Sequence, residues 1–202
     1  MLGIRLEGIE YHHGDLRQAL IDYALGQVRA SGVGAFSVRE AARAAGVSSG
    51  AAYRHFSEKD RLLAAVGLEG FSILAEQTAR ASAGSSGVDR LRAIGRAYIT
   101  FASDEPNLFR LMFSQICKVE VKVDEARALA VPSAWTQLHE ALAEVTRTET
   151  SEVDEDLAAL AWSTAHGAAS LICDGVWSRD DARAHAAIDE VARLALTKIR
   201  MA

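Results

Sequence analysis

The chain has 202 residues, half of them hydrophobic, with two prolines, two cysteines, few aromatics and a net charge of −5. That length allows one domain or two small ones around a sizeable core. No apolar run approaches the ~18 residues of a membrane span, and no window alternates in the Val-, Ile- and Thr-rich manner of a strand. An alanine-rich, proline-poor composition favours helices throughout, so the expected fold is all-α.

Met1 to Glu10 has neither a basic start nor a long apolar stretch, so it reads as an arm (1–11) rather than a signal peptide. Asp15-x-x-Gln18 has the form of a capping box for a first helix. Leu16, Leu20, Tyr23, Ala24 and Val28 then recur at helical spacing up to Gly32, and Phe36 and Val38 can pack on that stripe. Ser37-x-x-Glu40 opens a second, short helix. Gly46 suits the left-handed end of that helix, and the Ser48 hydroxyl can cap a third. Two short helices joined by a tight glycine turn form a helix-turn-helix, whose second helix can enter the DNA major groove.

Ser57 is expected to cap a long fourth helix from Glu58 to Ala81, and Ala83-Gly84-Ser85-Ser86-Gly87 to form a loop. A fifth helix spans about Val88 to Ser103, with Leu91, Ile94, Tyr98 and Phe101 or Ala102 inward. Asp104-Glu105-Pro106 suits the start of a sixth, apolar almost all round and so deeply buried. Pro132 must break or restart a helix within 118–132. Ser133 to Thr146 makes a seventh helix, Glu152 to Asp174-Gly175 an eighth, and Asp180 to Ile199 a ninth.

The negative net charge is unevenly spread. Residues 1–61 carry eight basic and seven acidic side chains, a balance of +1, and residues 62–202 carry fourteen and twenty, a balance of −6. A neutral-to-basic head on an acidic body is compatible with DNA binding, because only the docking face must be positive. Cys117 and Cys173 are single and far apart, which reads as two free thiols in a cytoplasmic protein. His12 and His13 are adjacent, poor geometry for chelation, and His139, His166 and His185 lack ligand partners at helical spacing, so neither metal nor cofactor is expected. No GxSxG, HExxH, P-loop or GxGxxG pattern occurs, so an enzyme is not expected either.

The segment Gly46-Val47-Ser48, followed by Ala51-Ala52-Tyr53-Arg54-His55-Phe56-Ser57-Glu58-Lys59, resembles the N-terminal domain of the TetR family of bacterial one-component repressors. Tyr11-His12-His13-Gly14-Asp15-Leu16-Arg17 resembles the entry to that domain's first helix. Trp162-x-x-x-His166-Gly167 resembles the signature of a subfamily named for Trp-His-Gly. The resemblance implies a head over 12–58 that reads DNA and a helical body over 59–202 that dimerises through its last two helices and binds a small apolar or amphipathic effector. It implies a homodimeric, ligand-responsive repressor on a palindromic operator in double-stranded DNA. A small-molecule carrier with a silent head is the alternative.

In the recognition helix, Ser48, Ser49, Gly50 and Ala51 form the leading turn. Ser49 can bond a base edge, the Ala51 methyl can meet a thymine methyl, and Gly50 lets the backbone come close. The resemblance assigns phosphate contacts to Tyr53, His55 and Lys59. Lys59 stands at a helix start, where free amides already favour an anion. Arg39 can reach a base, and Arg54 or Arg43 a phosphate, though both suit plain solvated charges equally well. Family members often carry Thr and a larger aliphatic where this chain has Ala51 and Ala52, so hydrogen-bond readout is reduced there.

In the body, Trp162 and His166 stand four apart on one helical face, and Gly167 permits close approach. They read either as a packed core face with a satisfied histidine or as the wall of an effector pocket. Phe109, Met112, Phe113, Trp135 and Leu138 are further wall candidates, equally readable as ordinary core.

Overall fold

The computed structural model describes residues 13–34, 36–116 and 133–199. The arm over 1–11, Cys117 and the break expected at Pro132 lie outside the described residues, as do the side chains of His13 and Asp15. Among the described residues the chain forms nine α-helices, one 3₁₀ turn and no strand, the all-α fold expected. The helices are α1 (His13–Ser31), α2 (Val38–Ala44), α3 (Ser49–His55), α4 (Lys59–Ser82), α5 (Gly87–Asp104), α6 (Pro106–Ile116), α7 (Ala134–Thr146), α8 (Glu155–Cys173) and α9 (Ala182–Ile199). The 3₁₀ turn, Thr150–Glu152, joins α7 to α8.

The head's short helices are fixed by their ends. Ser37 and Glu40 form a full capping box, with the Glu40 amide donating to Ser37 Oγ at 3.2 Å and the Ser37 amide donating to Glu40 Oε2 at 2.7 Å. At the other end Gly46 has φ +70°, and the amides of Val47 and Gly46 donate to the carbonyls of Ala42 and Arg43. This is the Schellman closure, which needs a left-handed residue. Ser48 Oγ then accepts from the Ala51 amide at 3.2 Å and starts α3.

Other ends differ from the sequence expectation. Helix α1 starts at His13, so Asp15 lies inside it, and Gln18 donates to Asp22 one turn on instead of closing a box. Helix α4 is capped at Glu58, not Ser57, and without a side-chain hydrogen bond. Pro106 opens α6 as expected, Ser133 caps α7 through the Thr136 amide, and Asp154 caps α8 through the amides of Asp156 and Leu157.

One apolar cluster runs from the head into the body. It joins Leu20, Val28, Phe36, Ala52 and Phe56 to Leu62 and Val66 of α4, to Leu108 and Met112 of α6, and on to α8. A second cluster lies between α5, α7, α8 and α9, around Leu91, Leu142, Leu157 and Val191. At 24 residues, α4 spans about 36 Å, enough to link head and body. It crosses α6 at Gly70, where an added Cβ would lie 2.8 Å from Met112 Cγ and Sδ, so only glycine permits this approach.

The head is also tied to the α5–α6 corner. The Arg29 guanidinium pairs with Glu105 at 2.9 and 3.0 Å, and the Asn107 amide donates to the Arg29 carbonyl at 3.3 Å. Helix α6 thus touches the end of α1 with its first turn and the body's aromatic rings with its next two.

Candidate functional site

Helices α2 and α3 carry the candidate DNA-reading residues on one side of the head. Arg39, Ser48, Gly50, Tyr53 and Arg54 are exposed, and Ser49, Ala51, His55 and Lys59 are half-buried. Tyr53 keeps 40% of its surface accessible, unusual for an aromatic in so small a unit. The neighbouring Ala52 and Phe56 are buried and anchor α3 to the head's core. Ser48 is the N-cap of α3, so its oxygen already accepts a backbone amide. Ala51 packs partly against the core. Lys59 begins α4, with Nζ 4.8 Å above the Phe36 ring, a cation–π contact that holds the ammonium near the end of α3. Arg17, not singled out in the sequence, lies 5.4 Å above the Phe56 ring.

The body brings most of its candidates into one aromatic cluster. Trp162 and His166 are parallel within 6°, their centroids 6.2 Å apart. Phe113 sits 4.4 Å from His166 and Phe109 5.4 Å from it. Trp135 reaches Trp162 at 5.6 Å. Met112 is fully buried against Gly70 of α4 and stands apart from the rings. Leu138 lines a separate cavity of about 30 Å³ with Tyr98, Trp162, Ala165 and Ile188, room for little more than a water molecule. Gly167 is exposed, and a Cβ there would meet nothing within 4 Å, so it admits no close neighbour within this chain.

Three residues of the cluster carried no local sequence mark. Tyr98 of α5 is 3% exposed, and its hydroxyl lies 2.8 Å from His166 Nδ1. His166 is therefore a satisfied histidine, and it also forms part of an aromatic wall. Phe71 of α4 extends the wall at 5.5 Å from Phe113. His139 stacks on Trp135 at 4.6 Å, donates from Nδ1 to the Trp135 carbonyl and places Nε2 3.5 Å from Glu155. Burial pushes the Tyr98 hydroxyl far above its ordinary range and the His166 imidazole below its own, so both favour their neutral forms.

Among the described residues no group of three or more His, Cys, Asp and Glu is placed to hold a metal, and no helix is long and apolar enough to cross a membrane. Cys173 Sγ donates to the Ala102 carbonyl at 3.2 Å, and burial pushes its thiol up.

Comparison with known proteins agrees with both halves. Residues 20–66 match the model of bacterial regulatory proteins of the tetR family, and residues 91–195 match that of the tetracyclin repressor-like C-terminal domain. No curated protein matches the chain. Among solved structures, a protein of unknown function from Rhodococcus sp. RHA1 is 27% identical, with TM-score 0.62, over 94% of this chain and 98% of that one. A TetR family transcription regulator from Marinobacter aquaeolei VT8 shares the fold at 18% identity and TM-score 0.58, over 88% and 94%. The regulator FadR from Bacillus subtilis, solved in complex with stearoyl-CoA, does so at 15% identity and TM-score 0.60, over 90% and 98%. The second family match alone spans half of the chain, and with the helix-turn-helix head it assigns this protein to the TetR family of DNA-binding transcriptional regulators.

Proposed function

We propose that the protein is a ligand-responsive repressor that binds a palindromic operator as a homodimer in the cytoplasm. The head over 12–58 does the reading, and the body over 59–202 dimerises and senses. The observation that carries this reading is the presentation of α3: a seven-residue helix anchored by Ala52 and Phe56, with Tyr53 and Arg54 exposed and Lys59 held beside it by Phe36. Ser49, Gly50, Ala51 and Arg39 face bases. Ser48, Tyr53, Arg54, His55 and Lys59 meet phosphates. One such helix makes few base contacts, and a two-fold pair doubles them.

Helix α8 supports the dimer. It carries no Asp, Glu, Lys or Arg from Leu157 to Cys173, and its outer face shows Ala159, Leu160, Ser163 and Gly167. Leu160 and, on α9, Leu196 are each over 40% exposed. A flat, uncharged strip of small residues suits a second copy of the same strip.

The aromatic cluster supports a small apolar or amphipathic effector, and the stearoyl-CoA complex of the Bacillus regulator is a precedent for an amphipathic ligand in this fold. Helix α6 carries Phe109 and Phe113 of that cluster and, at its start, the contact with α1. An effector that displaces these rings changes how the head is held. It needs only unequal affinity for the two arrangements.

The test is the double variant Tyr53→Ala, Lys59→Ala. A DNA reader loses operator affinity, and the slope of log K against log salt falls by about 1 for the lost lysine, with the helical circular dichroism unchanged. Undiminished DNA binding would overturn the reading and favour a carrier.

A further inference from the structure

The wall of rings has one polar atom whose role the fold does not use. Phe71, Phe113, His166, Trp162 and Trp135 touch in succession, all half-buried except Trp135, which is 40% exposed. They come from α4, α6, α7 and α8, so the strip faces a junction of four helices. In its midst His166 bonds only through Nδ1, to Tyr98. Its Nε2 has no partner among the described residues.

The Tyr98 contact decides which nitrogen carries the proton. The Tyr98 hydroxyl is buried, and Nδ1 is its one acceptor among the described residues. A buried hydroxyl that accepted from Nδ1–H would leave its own proton unbonded, a costly arrangement. Tyr98 therefore donates, Nδ1 accepts, and the neutral imidazole holds its proton on Nε2. The strip thus offers flat aromatic faces and a single fixed N–H donor, with no lysine or arginine among its rings.

We infer that the effector is a flat, uncharged aromatic molecule bearing a carbonyl, its rings against Trp135, Trp162 and Phe113 and its oxygen accepting from His166 Nε2–H. This rests on the reading of the ring cluster as the effector site. Tyr98 acts as a positioning residue that fixes the tautomer. An anionic head group finds no cation here, and a purely hydrocarbon ligand leaves the Nε2–H without a partner.

The test is a matched pair of probes, 2-acetylnaphthalene and 2-ethylnaphthalene, titrated against the full chain by calorimetry and by tryptophan fluorescence. The wild type should prefer the ketone by about three- to tenfold, the worth of one neutral hydrogen bond. His166→Phe keeps a ring and removes the donor, so the preference should vanish while 2-ethylnaphthalene still binds. Tyr98→Phe frees the tautomer and should lower the preference part-way, and Trp135→Ala should weaken both probes alike. A ketone preference that survives His166→Phe overturns the inference. So does failure of both probes to bind a wild type that still binds its operator, in which case the regulator reading stands. Ketone-selective binding by a protein that binds no DNA supports this ligand chemistry and overturns the repressor reading instead.

Discussion

The head and the body meet their ligands with opposite chemistry. The head's surface is polar and charged, borne on helices of seven residues whose ends are closed by Ser37, Glu40, Gly46 and Ser48. The body's site is aromatic and half-buried, borne on helices of 11 to 24 residues that are held by packing. DNA affinity should therefore fall steeply with salt, and effector affinity should scarcely change with it. The two regions nonetheless share one apolar cluster and one ion pair, Arg29–Glu105. They differ in what they recognise and are joined in how they are held.

The strongest way to break this picture is to cut the shared core at either end. Leu20→Ala in the head and Phe101→Ala in the body both remove fully buried side chains and should each cost about 2–5 kcal/mol. Because one cluster spans both regions, urea unfolding followed by circular dichroism should remain a single transition in each variant. Two separated transitions would mean that head and body are independent.

A sharper cut removes only the link. Arg29→Ala deletes a half-exposed ion pair, so it should change stability by under about 1 kcal/mol. The effect of an effector on DNA affinity, commonly five- to 150-fold in such systems, should shrink markedly, as read by operator titrations with and without ligand. Unchanged coupling would remove the α1–α6 contact from the mechanism.

Local closures come next in size. Ser37→Ala breaks both bonds of the capping box and should cost about 1 kcal/mol by urea denaturation, whereas Ser57→Ala removes no cap and should be close to neutral.

The smallest effect is pH dependence in the body. Burial holds His166 below its usual 6.5 in the folded chain, so the unfolded chain binds its proton more readily. This contribution to stability is whole above pH 6.5 and declines as pH falls through the folded value. His166→Phe should flatten that part of the pH profile, and an unchanged profile would place the titration elsewhere.

The head was legible because its signals are local. A serine, a glutamate three residues on and a glycine at the turn make their hydrogen bonds within one helical turn, so spacing alone located α2 and α3. The same logic failed at Asp15–Gln18, where α1 starts earlier and the glutamine finds Asp22, and at α4, where the cap moved one residue to Glu58. In the body, Trp162 and His166 were visible as a pair four residues apart. Tyr98, which completes the histidine's bonding, lies 68 residues away, and Arg29 is 76 residues from Glu105. Nothing local in sequence marks such partners, because tertiary packing alone selects them.

The most direct test of the account is binding of the purified protein to DNA from upstream of its own gene, titrated with salt and followed by footprinting. The account predicts tight, steeply salt-dependent binding that protects a palindrome with half-sites about one helical turn, or a multiple, apart. Weak binding indifferent to sequence, or protection of a single half-site by a monomer, would contradict it.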